Sequence, residues 1–220
     1  AARDFAETAM AALAAVLVGV TLLAQLAMPW LVLGLTSGFA GDARFPLAIE
    51  MGRIAFPYIL FISLAALLSG VLNALGRFAA AAAAPVLLNL ILLGALGLAS
   101  SGVLEGVVGL STPSESGHAA AMLTWGVALA GVAQMLLVWR AAAPAGMPLR
   151  VRRPRITPAM RRLAAVALPA ALAGGVMQIN LVVGRQAASW FEGAVAWLYY
   201  ADRLYQLPLG VIGVAVGVVL

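Results

Sequence analysis

The 220-residue sequence contains no cysteine, no lysine and a single histidine, His118. Without cysteine the chain can form neither a disulfide framework nor a thiolate metal site, and one histidine has no second histidine to complete a metal site. The HExxH pattern of zinc hydrolases, the GxSxG pattern of serine hydrolases and the phosphate-binding GxxxxGK[ST] loop are also missing. We therefore expect a protein that is not an enzyme and that has no metal ion and no cofactor.

Charged residues are scarce, at 10% of the chain, while hydrophobic residues make up 64% and the mean hydropathy is +1.06. A soluble globular domain is about 25% charged and about 45–50% apolar. The composition therefore excludes a soluble globular protein and indicates a membrane protein. Because unpaired backbone groups cannot face lipid, a spanning chain folds as helices or as a closed barrel. The alanine-rich runs lack strict alternation, which favours helices.

Apolar runs long enough to cross a bilayer, which takes about 20 residues, occur six times. They are Ala9–Leu35, Ile54–Leu75, Ala79–Ala99, Ala119–Trp139, Leu163–Ser189 and Ala194–Leu220. The sequence thus predicts an all-α fold, a polytopic membrane bundle of six transmembrane helices. We also expect an internal piece of a longer membrane protein, because nothing near Ala1 resembles a signal peptide and the last segment stops without a flanking charge.

The arginines are distributed unevenly among the loops, and this predicts the orientation of the spans, since arginine-rich loops stay in the cytoplasm. The loop after the fourth segment contains seven arginines and no acid: Arg140, Arg150, Arg152, Arg153, Arg155, Arg161 and Arg162. The loop after the third segment contains Glu105, Glu115 and His118 but no arginine. We therefore predict that residues 1–8, 76–78 and 140–162 are cytoplasmic and that residues 36–53, 100–118 and 190–193 lie outside. This placement accounts for the net charge of +5, so we expect no nucleic-acid partner.

The basic, proline-rich stretch 141–162 is the best candidate boundary in the chain. We predict four transmembrane helices in residues 1–140, a cytoplasmic connection in 141–162 and two further transmembrane helices in 163–220. One interpretation is that the arginines only set the topology. The other, compatible with it, is that Arg150–Arg162 contacts anionic membrane lipids, at about 1 kcal/mol for each arginine near the surface.

Two adjacent charged residues, Asp202 and Arg203, lie eight and nine residues inside the sixth segment. A charge at that depth costs about 2.5–3.5 kcal/mol on insertion scales, and such residues usually face a cavity or a partner. Gln206 follows Asp202 by one helical turn and Tyr199 precedes Arg203 by one turn, so the four form a polar strip. Arg203 suits an anionic substrate, because its planar fork binds phosphate oxygens in pairs. The alternative is a structural salt bridge between helices.

Three sequence blocks resemble the MurJ (MviN) lipid II flippases of the MOP exporter superfamily. The sixth segment contains WLYYADRL at 197–204 and LPLGV at 207–211, which resemble that family's signature. The runs RIAFPYILFISL at 53–64, LNALGRF at 72–78 and PVLLN at 85–89 resemble two more of its blocks. The blocks occur in the family's order and extend from about Arg53 to the end of the chain.

This resemblance implies a multi-pass protein of the bacterial cytoplasmic (inner) membrane, with fourteen helices in two lobes around a cationic cavity. It implies a flippase that moves undecaprenyl-pyrophosphate-linked peptidoglycan precursor to the outer leaflet by alternating access, for cell-wall synthesis and cell shape. The chain would then cover helices three to eight, with Asp202, Arg203 and Gln206 as the substrate-binding candidates. Gln206 replaces an acid frequent in the family, and Gly184 stands where some relatives bind sodium through Asp. Sodium coupling through position 184 is therefore not supported, while coupling to an ion gradient by another route or to the membrane potential stays open.

Two other classes of function remain as alternatives. One is another exporter of the same superfamily that handles an oligosaccharide-lipid or a drug. The other is a membrane scaffold without a transport cycle, in which Asp202 and Arg203 act as a structural lock. The absent catalytic motifs disfavour an intramembrane enzyme.

Overall fold

A computed structural model of the chain describes residues 2–101, 115–148, 152–155 and 157–208. Within these residues the fold is all helical, as predicted. The helices are α1 (Ala2–Leu35), a 3₁₀ turn (Ser37–Phe39), α2 (Arg44–Ala55), α3 (Tyr58–Ala74), α4 (Ala79–Ser100), α5 (Glu115–Ala142), α6 (Pro158–Ala188) and α7 (Ala194–Pro208).

Five of the six predicted spans are confirmed as helices long and apolar enough to cross a membrane. They are α1, α2 continued by α3 (Arg44–Ala74), α4, the part of α5 from Ala119 to Ala142, and α6. The sixth predicted span begins as α7, and its remainder, residues 209–220, lies outside the described residues. The chain is therefore a multi-pass membrane protein.

The predicted outer loop 36–53 differs from the structure, because most of it is helical. Helix α2 occupies Arg44–Ala55 and runs into α3 through a short turn at Phe56 and Pro57. Charged residues at positions 42, 44, 50 and 53 make this stretch polar enough to resemble a loop. A helix is not confined to the apolar part of a bilayer, so hydropathy alone placed the start of this span ten residues late.

The turn between α2 and α3 creates an unpaired backbone group that a distant side chain satisfies. Pro57 has no N–H to donate to the carbonyl of Arg53, four residues earlier. The Gln25 side chain on α1 fills this position, and its Nε2 donates to the Arg53 carbonyl oxygen at 2.8 Å. A break in a membrane helix is tolerated only where another group forms the hydrogen bond that the backbone has lost. Gln25 therefore joins α1 to the turn between α2 and α3.

The chain divides into two compact units, Ala1–Met28 with Ile49–Val166, and Pro29–Ala48 with Ala167–Leu220. In the first unit, α3 and α4 both pack on α5. Its core joins side chains from four helices: Ala6, Met10, Leu64, Leu68, Leu72, Ala84, Val138 and Ala142. Small residues at several of these positions let the helices approach closely, as in other membrane bundles.

The turn from α3 to α4 lies at the short connection predicted for residues 76–78. Gly76 adopts a φ of +70°, a conformation that a side chain would strain. The Arg77 N–H then donates back to the Leu72 carbonyl oxygen at 2.9 Å. This pairing closes the end of α3 in the manner typical of a glycine-terminated helix.

A buried polar side chain, Gln134 of α5, links all three packed helices of this unit. Its Nε2 donates to the Ala84 carbonyl oxygen on α4 at 2.7 Å. Its Oε1 accepts a hydrogen bond from the Tyr58 hydroxyl on α3 at 3.3 Å. Both ends of the amide are therefore satisfied, as a buried polar group requires.

In the second unit, hydrogen bonds join the 3₁₀ turn to the end of α6. The Gln186 amide donates to Ser37 Oγ at 2.7 Å and accepts the Ser37 N–H at 3.0 Å. The Gly38 N–H donates to Ser189 Oγ at 3.0 Å. The backbones approach so closely that a Cβ on Gly38 would lie 2.4 Å from the Ser189 carbonyl carbon. Glycine is required at position 38 by this contact.

The same unit has an ion pair at the start of α2. Arg44 Nε donates to Asp42 Oδ2 at 2.5 Å, and the guanidinium lies over the Phe39 ring at 4.6 Å from its centroid. The hydrogen bond from Arg44 lowers the pKa of Asp42 below its ordinary value. The carboxylate therefore stays ionised and keeps Arg44 at the start of the helix.

We expect the Gln25→Leu variant of the full-length protein to lose about 0.6–1.7 kcal/mol of stability, because the Arg53 carbonyl loses its partner. Pro57→Ala restores a backbone N–H for that carbonyl, so the Gln25→Leu cost should fall close to zero in this background. Unfolding of the four proteins of the cycle in detergent measures both values. An equal cost of Gln25→Leu in both backgrounds would contradict the role of Gln25.

We expect Gly38→Ala to destabilise the protein by about 1–3 kcal/mol, because the added methyl group overlaps the Ser189 backbone. Gly34→Ala is the matched control, since nothing lies within 4 Å of a Cβ at that position inside α1. Alanine favours a helix by about 1 kcal/mol over glycine, so the control should be neutral or stabilising. Thermal unfolding compares the two, and equal melting temperatures would refute the close approach.

Candidate functional site

The predicted polar strip lies on α7, where Tyr199 and Arg203 are in direct contact. Arg203 Nη2 donates to the Tyr199 hydroxyl oxygen at 2.8 Å. The guanidinium carbon lies 4.9 Å from the centroid of the Tyr199 ring. The one-turn spacing noted in the sequence therefore brings these two side chains together. A hydrogen bond combined with a cation–π contact holds the arginine head group in place.

Asp202 and Gln206 lie on the same helix, but they take no part in this contact. The Asp202 side chain is half-buried and Gln206 is exposed. Among the residues that the structure describes, no hydrogen bond or ion pair joins Asp202 to Arg203 or Gln206. Adjacent helix positions point about 100° apart, which separates the aspartate from the arginine. The substrate-binding role of all three residues stays a prediction.

The geometry leaves Arg203 able to bind an anion. A guanidinium carries five N–H donors and one of them points to Tyr199, so the fork remains available. The Tyr199 hydroxyl accepts from Arg203, which leaves its own hydrogen to donate to a neighbouring anion. An exposed arginine with an adjacent hydroxyl is a donor set that matches phosphate oxygens.

A second charged cluster, not anticipated from the sequence, joins the start of α1 to the basic segment. Arg152 Nε lies 2.5 Å from Glu7 Oε2, and Arg152 also pairs with Asp4. Arg3 Nε lies 2.9 Å from Glu7 Oε1. The Glu7 carboxylate is completely buried, whereas the Asp4 side chain is 67% exposed. Both segments were predicted to lie on the same side of the membrane, and the ion pairs bring them together. The cytoplasmic location of that side stays a prediction.

The remaining arginines of the basic segment are mostly accessible. Arg153, Arg155, Arg161 and Arg162 are exposed, while Arg150 lies outside the described residues. His118 falls within α5, but its side chain also lies outside them. In the described ranges, no group of three or more His, Asp or Glu residues could hold a metal ion.

Comparisons with known proteins agree with the resemblance of the sequence blocks. A family model for Lipid II flippase MurJ matches residues 1–220. A Rhizobium tropici protein named probable lipid II flippase MurJ is 46% identical over 221 residues, which cover 100% of this chain and 40% of that protein. A Rhizobium meliloti protein of the same name is 46% identical over 222 residues, covering 100% of the chain and 39% of the relative.

A more distant relative extends this pattern. The Burkholderia cenocepacia protein named lipid II flippase MurJ is 37% identical over 200 residues, which cover 87% of this chain and 36% of that protein. The chain thus spans about 40% of the length of the curated relatives that it matches most fully.

We expect Glu7→Gln to destabilise the full-length protein by about 1–3 kcal/mol, because it leaves two arginines without a buried partner. Asp4→Asn is the matched control, since it removes the exposed pair to the same Arg152. Exposed ion pairs contribute at most about 1 kcal/mol. Unfolding in detergent measures both variants, and a larger loss for Asp4→Asn would contradict this ranking.

Proposed function

The chain belongs to the lipid II flippase MurJ family, and on this premise we propose that its protein is a transporter of lipid-linked peptidoglycan precursor. The precursor moves from the cytoplasmic to the outer leaflet of the bacterial inner membrane by alternating access, and it supplies cell-wall synthesis. The single observation that supports a role for this chain is the pairing of Arg203 with Tyr199 on α7. It presents a positive charge nine residues inside a predicted span.

In this proposal Arg203 binds the pyrophosphate of the undecaprenyl-linked precursor. A charge within a span is costly unless a cavity or a partner receives it. A pyrophosphate is such a partner, because it offers several oxygens to the two edges of the guanidinium fork. Tyr199 positions the fork and donates its hydroxyl hydrogen to the same group. Asp202 limits how long the anion is retained, and Gln206 donates a hydrogen bond one turn beyond Asp202.

Helix interruptions support a protein that changes shape during transport. Pro29, Pro85 and Pro169 lie inside α1, α4 and α6. Each removes one backbone hydrogen bond and allows its helix to bend at that point. We assign residues 1–140 and 163–220 to the two lobes of the transporter, with 141–162 as the cytoplasmic connection. Alternating access then consists of movement of one lobe against the other.

The basic connection also contacts anionic membrane lipids in this proposal. The described arginines of Arg150–Arg162, apart from Arg152, have no carboxylate partner in the described part of the chain. Each attracts the negative surface of the cytoplasmic leaflet by about 1 kcal/mol. This diffuse attraction keeps the connection at the membrane surface.

We expect Arg203→Ala in the full-length protein to reduce precursor translocation by about 10–100-fold, because a charge-assisted hydrogen bond contributes about 1.5–3 kcal/mol. Arg203→Lys keeps the charge but loses the fork and should retain partial activity. Arg185→Ala, at the end of α6, is the matched control and should translocate normally. Flipping of labelled precursor in vesicles measures all three, with the protein level checked in each.

Retained translocation in Arg203→Ala would refute the role of Arg203. Failure of the unaltered protein to replace a depleted lipid II flippase in cells would refute the transport proposal itself. A drug exporter of the same superfamily would fail that complementation. If the protein is instead a scaffold, a double variant that exchanges Asp202 and Arg203 should restore the stability and the cell growth that a single substitution at either position removes.

A further inference from the structure

A cationic cavity of about 330 Å³ lies between the start of α1 and the segment that leads into α6. It belongs to the first compact unit, whereas Arg203 belongs to the second. Three arginines, two threonines and one aspartate line it: Asp4, Thr8, Arg152, Arg153, Arg155 and Thr157. A concave site with several convergent polar groups is the usual form of a ligand site.

The charges of this cavity do not cancel. Arg152 is engaged by the Asp4 and Glu7 carboxylates. Within the described part of the chain, no carboxylate lies within ion-pair distance of Arg153 or Arg155. Two guanidinium groups that line the same recess therefore keep their positive charge uncompensated.

Thr157 and the start of α6 add further donors to the same cavity. The Thr157 hydroxyl oxygen accepts the Met160 N–H at 3.3 Å, which leaves the hydroxyl hydrogen free to donate outward. Helix α6 begins at the next residue, Pro158. A helix start favours a nearby anion because of the helix dipole. The arginines, the hydroxyl and the helix end thus favour the same type of ligand.

We propose that this cavity binds one phosphate monoester at the cytoplasmic surface of the protein. A monoester carries a charge of about −1.5 to −2 at neutral pH, which matches the two uncompensated arginines. A phosphodiester carries a single charge and matches them less well. The guanidinium groups of Arg153 and Arg155 hold the phosphate oxygens, and Thr157 donates a third hydrogen bond. The phosphate belongs either to a membrane lipid with a terminal phosphate or to a soluble molecule.

This site differs from diffuse attraction of the basic connection to the membrane. Arg161 and Arg162 carry the same charge a few residues later, but they do not line the cavity. Diffuse attraction depends only on the number of positive charges near the surface. A discrete site depends on which arginines are present, and the two cases are therefore separable by experiment.

The experiment compares two double variants of the full-length protein that lose the same charge, Arg153→Gln/Arg155→Gln and Arg161→Gln/Arg162→Gln. Each is placed in phosphatidylcholine nanodiscs with phosphatidic acid, with phosphatidylglycerol or with neither, and lipid retention is measured by native mass spectrometry. A parallel arm adds inorganic phosphate to protein in phosphatidylcholine alone and measures thermal stability. Melting behaviour without added ligand reports whether each variant is folded.

We expect the unaltered protein to retain phosphatidic acid in preference to phosphatidylglycerol. The cavity variant should lose about tenfold or more in affinity for the monoester, since each charge-assisted hydrogen bond is strong, while the control variant changes little. Arg153→Lys/Arg155→Lys keeps the charge and should give an intermediate loss. Protection by inorganic phosphate that the cavity variant abolishes would identify the soluble source and equally support the site.

Equal losses in the two glutamine variants, or equal retention of the two lipids together with no protection by inorganic phosphate, would overturn the proposal in favour of diffuse attraction. Binding of neither lipid nor phosphate by the unaltered protein would also overturn it. None of these readouts involves precursor translocation, so failure of this proposal is distinguishable from failure of the proposed transport function.

Discussion

The bilayer requires that every backbone polar group at apolar depth has a partner, and the rest of this fold depends on that constraint. Unbroken helices satisfy it by themselves, so the informative places are those where a helix is interrupted. At Pro57 the freed carbonyl of Arg53 is paired by Gln25. In the first unit, the two ends of the buried Gln134 amide form hydrogen bonds with two neighbouring helices, α4 and α3. Side-chain amides thus fix helix positions in a molecule whose apolar surfaces have little preference for one another.

Charge is subject to the same constraint, and the molecule places it in three different ways. Most arginines lie outside the six apolar segments predicted as spans, and their uneven distribution predicts the orientation of those spans. Glu7 is completely buried and is neutralised by Arg3 and Arg152. Arg203 is held by a tyrosine on its own helix. Arg203 keeps most of its guanidinium donors available well inside a predicted span, which is why the transport proposal assigns substrate binding to it.

The spans were predictable because they follow from local hydropathy, while their orientation stays a prediction from the arginine counts. The spacing of Tyr199 and Arg203 also predicted their contact, since neighbours one turn apart on a helix share a face. Helix α2 was not predictable, because its charges resemble those of a loop. The partners of Gln25 and Gln186 were not predictable either, since they lie far apart in the chain. Hydropathy carries no information on which distant backbone group a glutamine will satisfy.

The ion pairs of Arg152 have a consequence for the biosynthesis of the protein. Asp4 leaves the ribosome 148 positions before the arginine that pairs with it. At a synthesis rate of about 5–20 residues per second, Arg152 is added to the chain about 7–30 s after Asp4. During that interval the four spans between these residues are synthesised, before Arg152 is available to the Glu7 carboxylate. The buried contact between Glu7 and Arg152 can therefore form only after the spans between these residues have been synthesised, which makes it a late step in the folding of the first unit.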